Sequence, residues 1–565
     1  MQLQPIFDLV EICSQLGISE AIMSPGSRSA PLTLAVTRHP MINTRVIVDE
    51  RSAAYIALGI AQQSKRPVIL ISTSGTAALN YAPAIAEAFY QQIPLIVFTA
   101  DRPPEWIDQN DGQSIRQNYI YSNYIKTQAE LPVNMDHHDV KWHAQRLVSE
   151  SINLALRQPC GPVHINAPFR EPLYPKDGEK LNYNNIKVVY EPHHQVKLTD
   201  KSLNELFTKL VNFKRVLVIA GQGNYQPELC STLSVLSKNF QIPMICDITS
   251  NLHSVDHCIR HQDLILSNPT SRSNGDLLPE LVITFGKSLI SKNLKTFLRA
   301  NENLKHWHIQ SDGNAPDVFK ALDNNILSTP QDFFSKLCRS LKTHKFAEQY
   351  FNSWQQAEQT VGQKLDEIIF ENNGFPELKA VSTILKKLPA SGFLHLGNSM
   401  PVRYANIIGI NSSQMEVYSN RGVSGIDGVF STVVGHAMTN SDLHILLIGD
   451  LSFFYDRNAF WNNYISDNLR IILFNNHGGG IFDILEESSK LPELKKYFIT
   501  EHHLSAELIA QEYGIEYQSC NNSKNLVDRL KTFFSKTGKS KILEIEIDMT
   551  ESSNIYKKLF KNSWI

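Results

Sequence analysis

Long apolar runs are missing from this chain. No stretch of about 18 consecutive apolar residues occurs in its 565 positions, so no membrane-spanning helix is expected. Charge of one sign is missing too. With 54 Lys and Arg against 56 Asp and Glu, the net charge is −2. No basic surface argues for nucleic acid or an anionic membrane, and any anion site must be local. Cysteine is sparse. Cys13, Cys160, Cys230, Cys246, Cys258, Cys338 and Cys520 are odd in number, widely spaced and never in a CxxC. That pattern predicts reduced thiols in a cytosolic protein, with neither a disulfide framework nor a zinc site. No HExxH or Ser-His-Asp arrangement stands out among the 19 histidines. The pairs His137-His138 and His193-His194 lie in polar segments and read as surface residues. The GQG at 221–223 lacks the third glycine of a dinucleotide fingerprint. The opening MQLQPIFDLVEICSQLG reads as an amphipathic helix, not a signal peptide. A soluble, cytoplasmic protein is expected.

What is present is alternation. Up to about residue 170, apolar runs (TRVIVDE, RPVILIST, IPLIVFTADRP, GPVHINAP) alternate with helical stretches such as RSAAYIALGIAQQS. Solid apolar strands separated by helices predict a parallel sheet covered on both faces. The polar stretch around 175–200 reads as a linker. A second alternating unit contains RVLVIAGQG and LVITFGKSLI, and a third contains GFLHLGNSM, HILLIGD, RIILFNN and KILEIEI. The expected class is α/β, with three domains of parallel sheets flanked by helices. Their bounds are 1–175, a linker 176–200, a central domain 201–345, a connecting helix 346–372 and a last domain 373–565.

Two of these strands end alike. LLIGD closes on Gly449 and Asp450, followed by Ser452; IILFNNHGGG closes on Asn476 and three glycines. Ligands of open α/β sheets bind at the carboxyl ends of strands. One carboxylate, one carboxamide and one backbone carbonyl make half of the oxygen octahedron that magnesium prefers, and a diphosphate could supply much of the rest. Glycines let backbone approach such a ligand closely. Taken singly, each motif also reads as an ordinary turn.

Together the two motifs resemble the GDG…NN signature of thiamine-diphosphate enzymes. The resemblance implies Mg²⁺ (or Mn²⁺) held by Asp450, Asn476 and the carbonyl of Gly478, with Gly449 and Ser452 beside the cofactor. Leu451 stands where the family's second glycine is usual. The family also needs a glutamate from the first domain to switch the tautomer of the cofactor's pyrimidine. Glu50, expected to close the strand TRVIVDE, fits; alone, it also reads as a solvated acid at a helix start. Ser74 and Gly75, in STSGTAALN, match the loop beside the pyrimidine. The domains named above then correspond to pyrimidine-binding, central and diphosphate-binding domains.

Longer matches narrow the family. SPGSRSAPLTLA, DERSAAYIALGIA, TADRPPE, GQSIRQ and YSNRGVSGIDG resemble the 2-succinyl-5-enolpyruvyl-6-hydroxy-3-cyclohexene-1-carboxylate synthases of menaquinone biosynthesis. The resemblance implies a transferase that decarboxylates 2-oxoglutarate and adds the resulting succinyl-semialdehyde carbanion to isochorismate. Both substrates are dianions, which suits the forked donors of arginine. By resemblance Arg28, Arg102, Arg403 and Arg421 contact substrate carboxylates. Ser27, Gln113 and Ser399 line the pocket, with Gln113 close to the reacting carbon. Ile426 supports the cofactor from below, and Ile481, Phe482 and Leu485 form an apolar wall. In the central domain Lys292 matches, but Asn293 stands where arginine is expected, with Lys295 a possible substitute cation. Gly112 replaces an asparagine before Gln113. A homodimer or dimer of dimers is implied, with active sites at the interface. Two alternatives stay open: a thiamine enzyme acting on pyruvate, and a cofactor-free binding protein.

Overall fold

A computed structural model describes residues 3–184, 186–192, 197–268, 275–342, 344–371, 373–410, 414–485, 487–562 and 564. The chain divides into two compact units. One comprises Met1–His194, Asn420–Asp442 and Ser452–Leu469; the other comprises Gln195–Ser419, Leu443–Leu451 and Arg470–Ile565.

The first unit holds a six-stranded sheet of β1 (Glu20–Met23), β2 (Asn43–Val46), β3 (Val68–Ser72), β4 (Leu95–Asp101), β5 (Gln128–Glu130) and β6 (Val163–Pro168). The order is β2-β1-β3-β4-β6-β5, and all its pairings are parallel. The solid apolar runs VILIS and LIVFTAD become the fully buried central strands β3 and β4. The run TRVIVDE behaves differently. Its strand lies on the sheet edge and stops at Val46. Asp49 then caps the helix Glu50–Ser64 by accepting from the Ser52 N–H at 3.1 Å. Glu50 is thus the first residue of a helix, not the last of a strand. Residues of the expected linker pack along this unit. Tyr183 donates to the Ala35 carbonyl at 2.6 Å, Asn184 donates to Asp8 at 2.8 Å, and Leu181, Ile186 and Val188 touch the core.

The helix Glu50–Ser64 crosses the helix Val429–Ala437 within the same unit at very short range. A Cβ at Gly59 would lie 2.1 Å from the Thr432 carbonyl oxygen, and one at Gly435 would lie 2.2 Å from that of Ile56. Only glycine permits this approach.

The other unit holds two more six-stranded sheets. The first contains β7 (Val216–Ala220), β8 (Met244–Cys246), β9 (Cys258–Ile259), β10 (Leu281–Phe285), β11 (Lys305–Gln310) and β12 (Leu322–Leu327), in the order β12-β11-β10-β7-β8-β9. The second contains β13 (Ser391–Leu396), β14 (Gln414–Tyr418), β15 (His444–Gly449), β16 (Leu469–Asn475), β17 (Glu516–Cys520) and β18 (Lys541–Glu546), in the order β14-β13-β15-β16-β18-β17. The helix Glu348–Glu371 buries Tyr350, Trp354, Ala357, Val361, Leu365 and Ile369, a stripe at three- and four-residue spacing. Three parallel sheets flanked by helices are therefore the fold.

One expectation fails. Cys246 and Cys258 form a disulfide. They lie on neighbouring strands β8 and β9, which brings their Cα atoms to 6.2 Å, within disulfide reach. Strand neighbourhood, invisible in the spacing of cysteines, makes the pair. Cys13, Cys160, Cys230, Cys338 and Cys520 are free thiols.

Candidate active site

At the carboxyl ends of β15 and β16 the polar groups converge. Asp450 opens the helix Asp450–Tyr455 and is only 3% exposed. The N–H of Gly478 donates to Asp450 Oδ2 at 2.9 Å and lies 3.3 Å from Asn476 Oδ1. The Gly478 amide thus brings Asp450 against the turn that carries Asn476 and Gly478. Glycine is required at 478, since a Cβ would lie 2.8 Å from the Ile499 carbonyl oxygen. The two asparagines of the NN pair divide the work. Asn475 is buried and structural, donating to the Leu504 carbonyl at 2.9 Å and to Glu544 at 2.7 Å. Asn476 follows the strand and turns toward Asp450's amide partner. At Leu451, where the family's glycine is usual, the backbone N–H reaches Asp450 Oδ1 at 2.6 Å. At Gly449 a Cβ would meet nothing within 4 Å.

The electrostatics suit a cation. Burial pushes the Asp450 carboxyl up to about 6, against the backbone donors of Leu451 and Gly478. Buried Glu377 is pushed up to about 8, by burial first and by the Asp450 charge second. A divalent cation would favour the ionised form of both. Hard oxygen donors and no thiolate fit magnesium or manganese.

The sequence reading passed over His502. Its Nδ1 accepts from the Leu504 N–H at 3.1 Å, so a neutral ring carries its proton on Nε2. That Nε2 lies 3.3 Å from Asp450 Oδ2. Glu377 and His502 carried no sequence signal, being one more acid and one of many histidines.

The short helix Ile481–Ile484 follows the glycines. Ile481 packs onto the unit's core, Phe482 faces Phe498 at 5.7 Å between ring centres, and Leu485 is exposed. In the same unit, Ser399 (φ 72°) precedes the helix Met400–Ile408, and its carbonyl accepts from Arg403. Arg403 also exerts its charge on half-buried Asp263, which accepts from Ser291, the cap of the helix Lys292–Arg299. Lys292 is exposed. Asn293 donates to the Asp263 carbonyl at 2.9 Å, and Lys295 donates to the Leu289 carbonyl at 3.0 Å. Both thus serve local backbone.

In the first unit, loops at the ends of β1, β3 and β4 meet. A Cβ on Gly26 would collide with Thr73, which puts the loop of Ser27 against the loop of Ser74. Arg28 is buried and donates to the Phe169 carbonyl at 3.0 Å. Gly75, at φ 86°, stacks against the backbone of Gln113, itself at φ 55°. Arg102 reaches the Gly112 carbonyl at 2.8 Å and Asp111 at 3.1 Å, tying the arginine to the loop of Gln113. A Cβ on Gly112 would meet open space.

A fully engaged amide ties the β3 loop to β4 and β6. Gln117, 1% exposed, accepts from the Gly75 N–H at 2.8 Å and donates at 3.1 Å to both the Ala100 carbonyl and Asn166. Asn166 in turn donates to Asp101 at 2.9 Å and accepts from Thr99 at 2.9 Å. Gln117 lies within the GQSIRQ motif, yet nothing in that motif marked it as a hub. Glu50 stands half-buried at its helix start. Arg421 is also half-buried, Ile426 is 36% exposed, and Ser452 donates to the Ile426 carbonyl at 2.7 Å.

Residues 7–120 match the family model "Thiamine pyrophosphate enzyme, N-terminal TPP binding domain", and residues 189–396 match "Middle domain of thiamine pyrophosphate". A Cytophaga hutchinsonii protein is 44% identical over 559 residues, spanning 99% of both chains. Relatives from Flavobacterium johnsoniae (38% identical over 555 residues, 98% of both chains) and Porphyromonas gingivalis (36% over 560, 98% of this chain and 96% of the other) carry the same name. Among solved structures, benzoylformate decarboxylase from Polynucleobacter necessarius superposes with a TM-score of 0.70 at 14% identity, over 96% of this chain and 98% of that one, and shares the fold. The name borne by all three relatives is 2-succinyl-5-enolpyruvyl-6-hydroxy-3-cyclohexene-1-carboxylate synthase, and the chain belongs to that family of thiamine pyrophosphate enzymes.

Proposed function

We propose that the chain joins 2-oxoglutarate to isochorismate with loss of CO₂, giving 2-succinyl-5-enolpyruvyl-6-hydroxy-3-cyclohexene-1-carboxylate. The observation that carries this reading is the convergence of Asp450, Asn476 and Gly478 on one backbone amide, in a chain of this family. Thiamine diphosphate, when bound, supplies the electron sink for decarboxylation and carbon–carbon bond formation. Asp450, Asn476 and the Gly478 carbonyl would hold its diphosphate through Mg²⁺ or Mn²⁺. The Glu50 carboxyl would share a proton with N1′ of the pyrimidine and so set its tautomer. Ser74, Gly75, Gly449, Ser452 and Ile426 would line the cofactor.

The substrates are dicarboxylates, and the chain's net charge offers no general attraction for them. Arg28, Arg102, Arg403 and Arg421 would pair their carboxylates, with Lys292 as a further cation. Gln113, Ser27 and Ser399 would hydrogen-bond in the pocket, and Ile481, Phe482 and Leu485 would exclude water from it. The active form in this reading is a cytoplasmic homodimer or dimer of dimers.

Product analysis tests the reading. Enzyme with thiamine diphosphate, Mg²⁺, 2-oxoglutarate and isochorismate should release CO₂ and the named product in equal amounts. Robust turnover of pyruvate in place of 2-oxoglutarate would reject this reading in favour of a pyruvate-processing enzyme.

A further inference from the structure

The segment Arg421–Gly428 contains two of the candidate site residues, Arg421 and Ile426, and it is pinned at both ends. At its start, buried Glu87 (1% exposed) accepts the Gly422 N–H on Oε1 and the Val423 N–H on Oε2, each at 2.7 Å. The Gln91 side chain donates to the same Oε1 at 2.6 Å. A Cβ at Gly422 would lie 2.8 Å from the Glu87 carbonyl oxygen, so the backbone can seat there only as glycine. At the other end, Tyr55 donates to Asp427 Oδ2 at 3.1 Å, and its ring fills the space that a Cβ on Gly428 would need.

The anchors have a common support. Tyr55 lies on the helix that begins with Glu50. Gln62, on that same helix, bonds Gln91 at 3.0 Å and His436 at 2.9 Å. Glu87 and Gln91 lie on the helix Ala82–Gln91. The chain His436–Gln62–Gln91–Glu87 therefore runs from the close glycine crossing to the start of the segment. Neither Arg421 nor Ile426 is more than one residue from an anchor.

We infer that Glu87 and Tyr55 are positioning residues: a two-point clamp that sets Arg421 for a substrate carboxylate and Ile426 for the cofactor. The inference deepens the proposed function and rests on it for the roles of Arg421 and Ile426. The clamp itself is a matter of geometry. A carboxylate suits the first anchor because both its oxygens accept, whereas an amide would turn an NH₂ toward one of two N–H donors. A hydrogen bond to a charged acceptor contributes about 1.5–3 kcal/mol, which corresponds to about tenfold or more in an equilibrium constant.

The test combines hydrogen exchange with steady-state kinetics on the holoenzyme of Glu87→Gln and Tyr55→Phe. Exchange at Gly422 and Val423 should quicken at least about tenfold in Glu87→Gln, with peptides around Asp450 unchanged. The KM for one dicarboxylate substrate should rise about tenfold while the apparent Kd for thiamine diphosphate with Mg²⁺ stays within about twofold. Tyr55→Phe, which deletes one hydroxyl, should quicken exchange around residues 426–428 and lower kcat more than it raises KM. Unchanged exchange in both variants would overturn the clamp, whatever the activity. Quickened exchange with KM and kcat unchanged would overturn its positioning role. If Glu87→Gln fails to fold, Tyr55→Phe decides by the same readouts. A wild type inactive on both dicarboxylates would instead sink the proposed function, leaving the exchange result to judge the clamp alone.

Discussion

The strand-end turns of β15–β16 and those of β1–β3–β4 hold their ligand groups by different means. In the first region one backbone N–H, that of Gly478, gathers the carboxylate of Asp450, 28 positions earlier, and the carboxamide of Asn476. In the second, one buried glutamine ties the loop of Gly75 to β4 and, through Asn166, to β6. The first arrangement is local and stiff, since glycine and close contact leave it few alternatives. The second is a network, whose members depend on one another. A local site should break at its ligands, and a network should break at its hub.

The largest effect expected is at Glu50. Glu50→Gln should lower kcat by at least about 100-fold, the scale of lost acid–base assistance, because only the proton-sharing carboxyl is removed. Cofactor-induced thermal stabilisation should persist in that variant, and its loss would show that Glu50 binds more than it activates. Asp450→Ala should do the reverse. The wild type gains about 2.7 kcal/mol at a cofactor concentration of about 100 Kd, and this gain should vanish in a thermal-shift titration with thiamine diphosphate and Mg²⁺.

The hub comes next. Gln117→Leu leaves the Gly75 N–H without its acceptor in a buried place, which costs about 1–3 kcal/mol of stability. Denaturant unfolding should read that loss, and kcat should fall because Gly75 and Gln113 lose their register. A core substitution matched in measured destabilisation and away from this network, such as Val10→Ala, should leave kcat near wild type. His502→Ala should have a smaller effect, weakening Mg²⁺ binding about 10- to 100-fold in a calorimetric titration with little change in fold stability, the usual scale for an outer-sphere partner.

The smallest effect is graded with pH. The Asp450 carboxyl titrates near 6, raised by burial, and a metal ligand must be ionised. Mg²⁺ affinity should therefore decline as the pH falls, weakly through about 8 as Glu377 takes up a proton and more steeply through about 6, by up to about tenfold per unit. Affinity that is constant down to pH 5 would mean the carboxylate is held ionised by something else.

The comparison also explains what sequence could reveal. Asp450, Asn476 and Gly478 stand in two short, chemically distinctive strand-end motifs, so their cluster was readable from the sequence. Parallel sheets were readable because β3 and β4 are buried on both faces and so are apolar throughout. The place of Glu50 was misjudged: an edge strand with exposed positions ends early, and Asp49 takes the cap. Gln117, Glu87 and His502 act on residues 17 to 336 positions away or through a ring tautomer, and composition offers no trace of that. The Cys246–Cys258 pair escaped for the same reason, since only strand adjacency brings it together.

The most direct measurement is a structure of the protein with thiamine diphosphate and Mg²⁺ bound. The account predicts a metal ligated by Asp450, Asn476 and the Gly478 carbonyl, with the Glu50 carboxyl of either protomer within hydrogen-bond reach of N1′. A cofactor seated away from these residues, or a pyrimidine with no contact to Glu50, would contradict it.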